Sequence, residues 1–226
     1  MRSYFFQFLL FILLGCVVAC NPVSHPTVAV DAAPPDVTPG STNLAAKGEK
    51  IAIFAGGCFW GVEAVFGHVM GVIDVKSGYS GGSAKTANYN QVSDGNTGHA
   101  EAVQITYDPS KVTYEHLLQV FVYVAHDPTE LNRQGPDVGT QYRSAIFYTD
   151  DEQKRVAKGY VAKLNAAKAF TRPVVTQIVA LEKFYDAEAY HQDYLPRNLD
   201  SPYIIAHDLP KLENLRKRFP DLYVKK

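Results

Sequence analysis

The residues best equipped for chemistry lie in the run Gly56-Gly57-Cys58-Phe59-Trp60-Gly61. Cys58 is the one cysteine beyond position 20, and Trp60 is the one tryptophan in the chain. The run sits where an apolar stretch, Ile51 to Ala55, gives way to helical spacing. A thiol at a helix start meets the partial positive charge of the first turn, which favours thiolate over thiol. Flanking glycines allow a sharp turn and leave the sulfur uncovered. The alternative for Cys58 is an inert core cysteine. Phe59 is in phase with the stripe Val62, Val65 and Phe66, so core packing and a pocket wall are both open for it. Trp60 is out of phase and is expected to line a pocket. Glu101 opens a stretch in which Glu101, Val103, Ile105 and Tyr107 share one face. A carboxyl on an apolar face is desolvated, keeps its proton to higher pH, and then serves as a general acid worth typically ~10²–10⁴-fold. The competing reading is a solvated charge at a strand end. Tyr79, Tyr89, Asp137 and Tyr142 fall in loop-like sequence, where a phenol can hydrogen-bond a polar substrate oxygen or simply pack.

These groups need a frame. Helix-like and strand-like segments alternate. Strands are expected at Ile51–Ala55, Val69–Lys76, Glu101–Tyr107, Arg143–Tyr148 and Val174–Leu181. Helices are expected from Cys58 to about Gly67, over Thr113–Ala125, and from a capping box at Thr149 to Glu152 through about Ala167. A short helix over Glu188–Leu195 stops at Pro196, and Leu209 onward reads as a terminal helix. The long loops, Gly78–Gly98 and His126–Tyr142, are of a length usually reserved for function. The pattern is that of one α+β domain with a mostly antiparallel sheet and helices packed on it.

The chain has 226 residues and a formal net charge of −1. No basic cluster precedes Arg216-Lys217-Arg218, which argues against nucleic acid. His68, His99, His116, His126 and His191 show no ligand-like pair and there is no cysteine pair, so no metal site is expected. Gly78-Tyr79-Ser80-Gly81-Gly82 lacks the lysine of a phosphate loop, and no serine nucleophile elbow is present. Residues 1–20 read as an export signal: Arg2, then an apolar run from Tyr4 to Leu14 too short to span a bilayer. Cys16 and Cys20 each resemble the lipidated cysteine of a bacterial lipobox. Cys20 is preferred because polar, proline-rich sequence begins directly after it, with Cys16 the alternative and an unlipidated signal peptide the plainer reading. Residues 21–49 carry five prolines among small residues and read as a tether. The expected division is then a catalytic domain over 50–205 and a helical tail over 206–226. The place is the bacterial cell envelope, exported and lipid-anchored to the membrane on the periplasmic side.

Taken together, these motifs resemble the A-type peptide methionine sulfoxide reductases. The likeness spans Ile51 to Asn198 and rests on Gly57-Cys58-Phe59-Trp60-Gly61, Gly78-Tyr79-Ser80-Gly81-Gly82, Thr97-Gly98-His99-Ala100-Glu101, His126-Asp127-Pro128 with Gly135 to Ser144, and Phe184-Tyr185 with Tyr190-His191-Gln192. The resemblance implies a two-layer, ferredoxin-like sandwich. It implies thiol-dependent reduction of the S epimer of methionine sulfoxide, in oxidised proteins or free, through a cysteine sulfenic acid and without a prosthetic cofactor. By position Cys58 matches the family's nucleophile and Glu101 its acid. Tyr89 and Tyr142 match the residues that bind the sulfoxide oxygen, Phe59 and Trp60 the wall around the substrate methyl, and Asp137 a member of the hydrogen-bond network. Many family members carry resolving cysteines in a C-terminal tail. No cysteine follows Cys58 here, so a thioredoxin-like protein or a small external thiol is expected to reduce the sulfenic acid directly. Two other readings keep the same residues: a thiol peroxidase, which needs a polar pocket with an arginine beside the sulfur, and a lipid-tethered module that binds methyl groups and needs no thiolate.

Overall fold

The computed structural model describes residues 48–226. The expected export signal, the proline-rich tether, Cys16 and Cys20 lie outside those residues, save for the tether's last two positions.

The strand β1 (Lys50–Gly56) leads into the helix α1 (Phe59–Gly67), followed by β2 (Val72–Ser80), the short helix α2 (Tyr89–Val92) and β3 (Ala100–Tyr107). The helix α3 (Tyr114–Val120) runs on as a π-type turn over Phe121–Ala125. A small hairpin, β4 (Arg133–Gln134) and β5 (Asp137–Val138), precedes β6 (Ser144–Tyr148), α4 (Asp151–Ala166) and β7 (Gln177–Ala180). The chain ends with β8 (Phe184–Asp186), α5 (Tyr194–Arg197) and α6 (Leu209–Arg218). The main sheet has the order β7-β6-β1-β3-β2-β8. Its inner four strands pair antiparallel. With α1 crossing from β1 to β2 and α3 from β3 to β6, they give the ferredoxin-like arrangement. β7 alone adds in parallel to β6.

One face of the sheet carries the larger core. Ala52, Phe54, Val103, Ile105 and Ile146 meet Val62, Val65 and Phe66 of α1, Leu117 and Leu118 of α3, and Leu164 of α4. β1 is buried on both faces, because Ile53 and Ala55 turn the other way onto a small core of Ala100, Ala102, Ala145 and Phe147. A continuous apolar run is what such a strand requires. The strict alternation of β3 puts Glu101 on the helix-bearing side with Val103, Ile105 and Tyr107, all buried. The C-terminal segment joins the same core through Leu215 and Phe219, and Val69 bridges to Tyr223.

Several local expectations shift. β2 begins at Val72 and runs through Gly78-Tyr79-Ser80, because those residues pair with both β3 and β8. Tyr79 is therefore a buried strand residue and not an exposed loop tyrosine. The capping box lies one residue later than expected: Asp150 accepts from the Gln153 amide at 2.7 Å and Gln153 accepts from the Thr149 amide at 3.0 Å. The helix expected over Glu188–Leu195 breaks at Asp193, whose φ is +49°. Pro196 falls in the first turn of α5, where its missing N–H costs nothing. β8 and the β4–β5 hairpin are too short to show a period.

Phe54 stacks on Phe121 at 4.7 Å and leans on Phe66 at 5.6 Å. Phe54→Ala is expected to lower unfolding free energy by about 3–5 kcal/mol in a urea titration, through lost transfer energy and the cavity left behind.

Candidate active site

Cys58 caps α1 with φ −54° and ψ 123°, and its side chain makes no cap bond. Gly57 before it has φ +90°, and a Cβ there would lie 2.6 Å from the Cβ of Gln134. Only glycine fits a left-handed turn pressed this closely. Gln134 is itself fixed, accepting from the Asp127 amide at 3.0 Å and donating to the Asp127 carbonyl at 2.7 Å.

The first amide of α1 is taken by a carboxyl: Phe59 N–H donates to Glu101 Oε2 at 3.0 Å. This bond places the acid beside the sulfur and binds the helix to β3. Burial pushes Glu101 up to about 8, the Phe59 amide opposing and Asp137 adding to the rise. Glu101 is thus a neutral acid near pH 7, as the alternating pattern led one to expect.

Cys58 departs from expectation. It is 9 % exposed. Burial, then the charges of Glu101 and Asp208, push its thiol well above the ordinary range, while the Trp60 amide and Lys211 pull weakly the other way. The helix start does not deliver a standing thiolate, because its first N–H serves Glu101 and the sulfur is desolvated. The resting site holds a thiol and a carboxylic acid.

Around this pair the fold collects the other expected residues. Tyr89 begins α2 and Tyr142 closes a 3₁₀ turn over Thr140–Tyr142. Both phenols are shifted upward, by burial first and then by Glu101, and both also feel Cys58 and Asp137. Among the described residues neither phenol has a hydrogen-bond partner. Two neutral O–H donors and one carboxylic acid thus converge near one thiol. Asp137, on β5, accepts from the Tyr203 hydroxyl at 2.5 Å.

The aromatic neighbours divide. Phe59 is 1 % exposed and packs on Tyr79 and His191, at ring centroid distances of 5.9 and 5.0 Å. It belongs to the core, as its phase with Val62 allowed, and reaches the site as a buried wall. Trp60 is partly buried, stacked on Tyr194 at 3.7 Å with Tyr203 edge-on at 6.1 Å. It also lines a cavity of about 340 Å³ with Ala64, Leu195, Leu209 and Leu212. That cavity excludes Cys58 and Glu101.

Sequence reasoning missed several members. His191 accepts from Trp60 Nε1–H at 3.1 Å through Nδ1, and its ring lies 4.5 Å from that of Tyr89. Burial lowers its pKa, so the ring is neutral. Glu188 accepts from the Tyr79 hydroxyl and the Tyr89 amide, each at 2.9 Å, tying α2 to β2. Tyr203 falls at the very end of the expected catalytic domain, and Asp208 in the segment over 206–226 that reads only as a helical tail. The one available signal was the Tyr190-His191-Gln192 run, which identified a motif and no role. His126 is pushed down to about 4 by burial and held between the Phe121 carbonyl at 2.8 Å and Ser144 Oγ at 2.6 Å, so it is a neutral strut. The described residues hold no cluster of His, Cys, Asp and Glu suited to a metal.

Comparison with known proteins comes to the same place. The family profile of peptide methionine sulfoxide reductase matches residues 50–222. Peptide methionine sulfoxide reductase MsrA 2 of Mesorhizobium japonicum is 57 % identical over 182 residues, 80 % of this chain and 93 % of that protein. A protein of the same name from Synechocystis sp. is 52 % identical over 186 residues, 82 % of this chain and 86 % of that one. Among solved structures, reduced Mxr1 of Saccharomyces cerevisiae superposes with a TM-score of 0.62 at 34 % identity, covering 68 % of this chain and 87 % of that one. Methionine sulfoxide reductase A of Corynebacterium diphtheriae gives 0.59 at 35 % identity, covering 70 % and 79 %.

Attack by a thiolate assisted by a carboxylic acid needs one proton shared by Cys58 and Glu101, whereas the resting pair carries two. The pair's steps are macroscopic, so kcat/KM should rise as pH climbs through about 8 and fall once the second proton leaves. In Glu101→Gln the fall at high pH should vanish and the plateau drop by ~10²–10⁴. An unchanged bell in that variant would remove Glu101 from the titrating pair.

Proposed function

Because the chain belongs to the peptide methionine sulfoxide reductase family, we propose that Cys58 is its nucleophile and Glu101 its acid. The protein is an oxidoreductase, a peptide-methionine (S)-S-oxide reductase, and it reduces methionine sulfoxide at the expense of a thiol. It works without a prosthetic cofactor, and its electrons come from an external thiol. The peroxidase and methyl-binding readings fall away with that assignment. The observation that carries the residue roles is the Phe59 N–H···Glu101 bond, which fixes a protonated carboxyl next to the only thiol in the described residues.

The sulfoxide sulfur is electrophilic, but its oxygen leaves only when protonated. Glu101 gives that proton while the Tyr89 and Tyr142 hydroxyls hold the oxygen. Phe59 and Trp60 form the apolar wall for the methyl group, and Asp137 orients Tyr203 at the rim. The Cys58 sulfur bonds to the sulfoxide sulfur, the oxygen then passes to Cys58 as the S–O bond breaks, and the transient S–S bond breaks with it, its electron pair leaving on the methionine sulfur. One methionine and one cysteine sulfenic acid result; the hydroxyl proton is the one Glu101 gave, and the proton Cys58 lost on ionising is returned to Glu101. A first external thiol then forms a mixed disulfide with Cys58 and releases water. A second releases the external disulfide and restores the Cys58 thiol. The absence of cysteine between Cys58 and Lys226 supports a thioredoxin-like protein or a small thiol as direct reductant. The substrates proposed are both oxidised proteins and the free amino acid.

For the residues outside the described ones, the proposal is export to a bacterial envelope, with residues 1–20 as signal and Cys20 lipidated, Cys16 being the alternative. Residues 21–49 serve as the tether of the folded unit.

Cys58→Ser is expected to abolish turnover of the S epimer, with the R epimer unreduced by the parent enzyme; activity above a few per cent would put the nucleophile elsewhere. Palmitate labelling should be lost in Cys20→Ala. Label kept there but lost in Cys16→Ala would move the anchor to Cys16.

A further inference from the structure

The segment after Tyr203 brings two charges to the sulfur that the reaction above leaves without a task. Asp208 is wholly buried. Its Oδ1 accepts from Lys211 Nζ at 3.1 Å, and its Oδ2 has no partner. The Lys211 side chain is 23 % exposed. A buried ion pair with an unmet oxygen is weak ground for stability alone. Its position is specific. A Cβ on Gly61 would lie 2.0 Å from Asp208 Oδ1 and 2.8 Å from Lys211 Nζ. Gly61 is the third residue of α1, so the pair lies against the turn that Cys58 caps, and only a glycine there admits it. Both charges act on Cys58 in opposite senses, Asp208 against ionisation and Lys211 for it. Glu101 from β3 also opposes ionisation, and Tyr89, Tyr142 and Tyr203 share the field of the sulfur. His126, beneath Gly56, also feels the Lys211 charge.

We propose that the Asp208–Lys211 pair is a positioning device for Cys58: Asp208 keeps the sulfur protonated at rest and pins Lys211 as the counter-cation of the thiolate that forms during reaction. The idea rests on Cys58 as nucleophile. A resting thiol resists stray oxidation, since the thiolate is the oxidisable form. A cation held at the helix start is needed twice: when Cys58 attacks the sulfoxide, and when it leaves the mixed disulfide as thiolate. Residues 204–226 contain no cysteine, so this segment serves the sulfur with charge and supplies no second thiol.

The test is iodoacetamide alkylation of Cys58 against pH in the full chain carrying Cys16→Ser and Cys20→Ser. Asp208→Asn keeps the acceptor and removes the charge. It should lower the midpoint and speed alkylation near neutral pH about tenfold, a shift of roughly one pKa unit. Adding Lys211→Met to Asp208→Asn, which avoids stranding a buried carboxylate, should raise the midpoint part of the way back toward the parent value, since Asp208 acts on the sulfur more strongly than Lys211. Adding Lys211→Arg should keep it low, since the charge remains. A packing defect would move both double variants alike. Coincident midpoints for Asp208→Asn with and without Lys211→Met, or an Asp208→Asn midpoint at or above the parent, would overturn the proposal. Failure of the nucleophile assignment is read separately, as retained reductase activity in Cys58→Ser.

Discussion

The hydrogen bond from Phe59 N–H to Glu101 Oε2, 3.0 Å long, is the constraint on which the site depends. It joins the first free amide of a helix to a carboxyl carried by a strand 42 residues later. An orphan donor at a helix start needs a partner, and a buried carboxyl needs a donor. Each meets the other's requirement. The bond also denies Cys58 part of the helix-start field, so the contact that places the carboxyl beside the sulfur also disfavours the thiolate. Placement and reactivity are therefore set by one contact, with opposite signs.

A second consequence is that the Cys58–Glu101 pair rests uncharged. Glu101 is protonated up to about 8, and Cys58 keeps its proton beyond that. His191 and His126 are held neutral by burial. A buried, uncharged pair suits a substrate whose reacting group is a neutral dipole flanked by a methyl. Charge develops only when sulfur attacks and oxygen takes a proton, and fixed dipoles are worth most in such surroundings. An aromatic cluster packs beside the pair: His191 is wedged among Phe59, Trp60 and Tyr89, and Tyr194 covers Trp60.

Much of the site is carried by short segments that pack because distant polar groups hold them. Glu188 clamps α2 through the Tyr89 amide. Gln134 closes the hairpin loop on Gly57. Tyr203 reaches back to Asp137, 66 positions away. The two regions that read as long loops are thus built parts of the site. Several of their glycines and Asn132 turn through positive φ, and Tyr79 and Val92 are buried while Leu131 and Val138 stay exposed.

The sequence by itself determined the longer elements and singled out Cys58 and Glu101. Period-2 alternation from Glu101 to Tyr107 and the stripe Val62, Val65 and Phe66 are local properties of backbone geometry. They fix which face each residue takes before any tertiary contact forms. A reactive-looking cysteine between glycine and aromatics was legible for the same reason. The β4–β5 hairpin, β8 and the broken helix at Asp193 were not, because segments of two or three residues have no period and exist only by pairing. The protonation of Cys58 was hidden too, since helix position argues for a thiolate and burial beside two carboxyls argues against it. Desolvation and charge depend on what surrounds an atom in three dimensions, and His191, Tyr203, Asp208 and Lys211 reach the sulfur only through the folded chain. That is why the sequence could single out the thiol, while the tertiary structure alone decided its protonation.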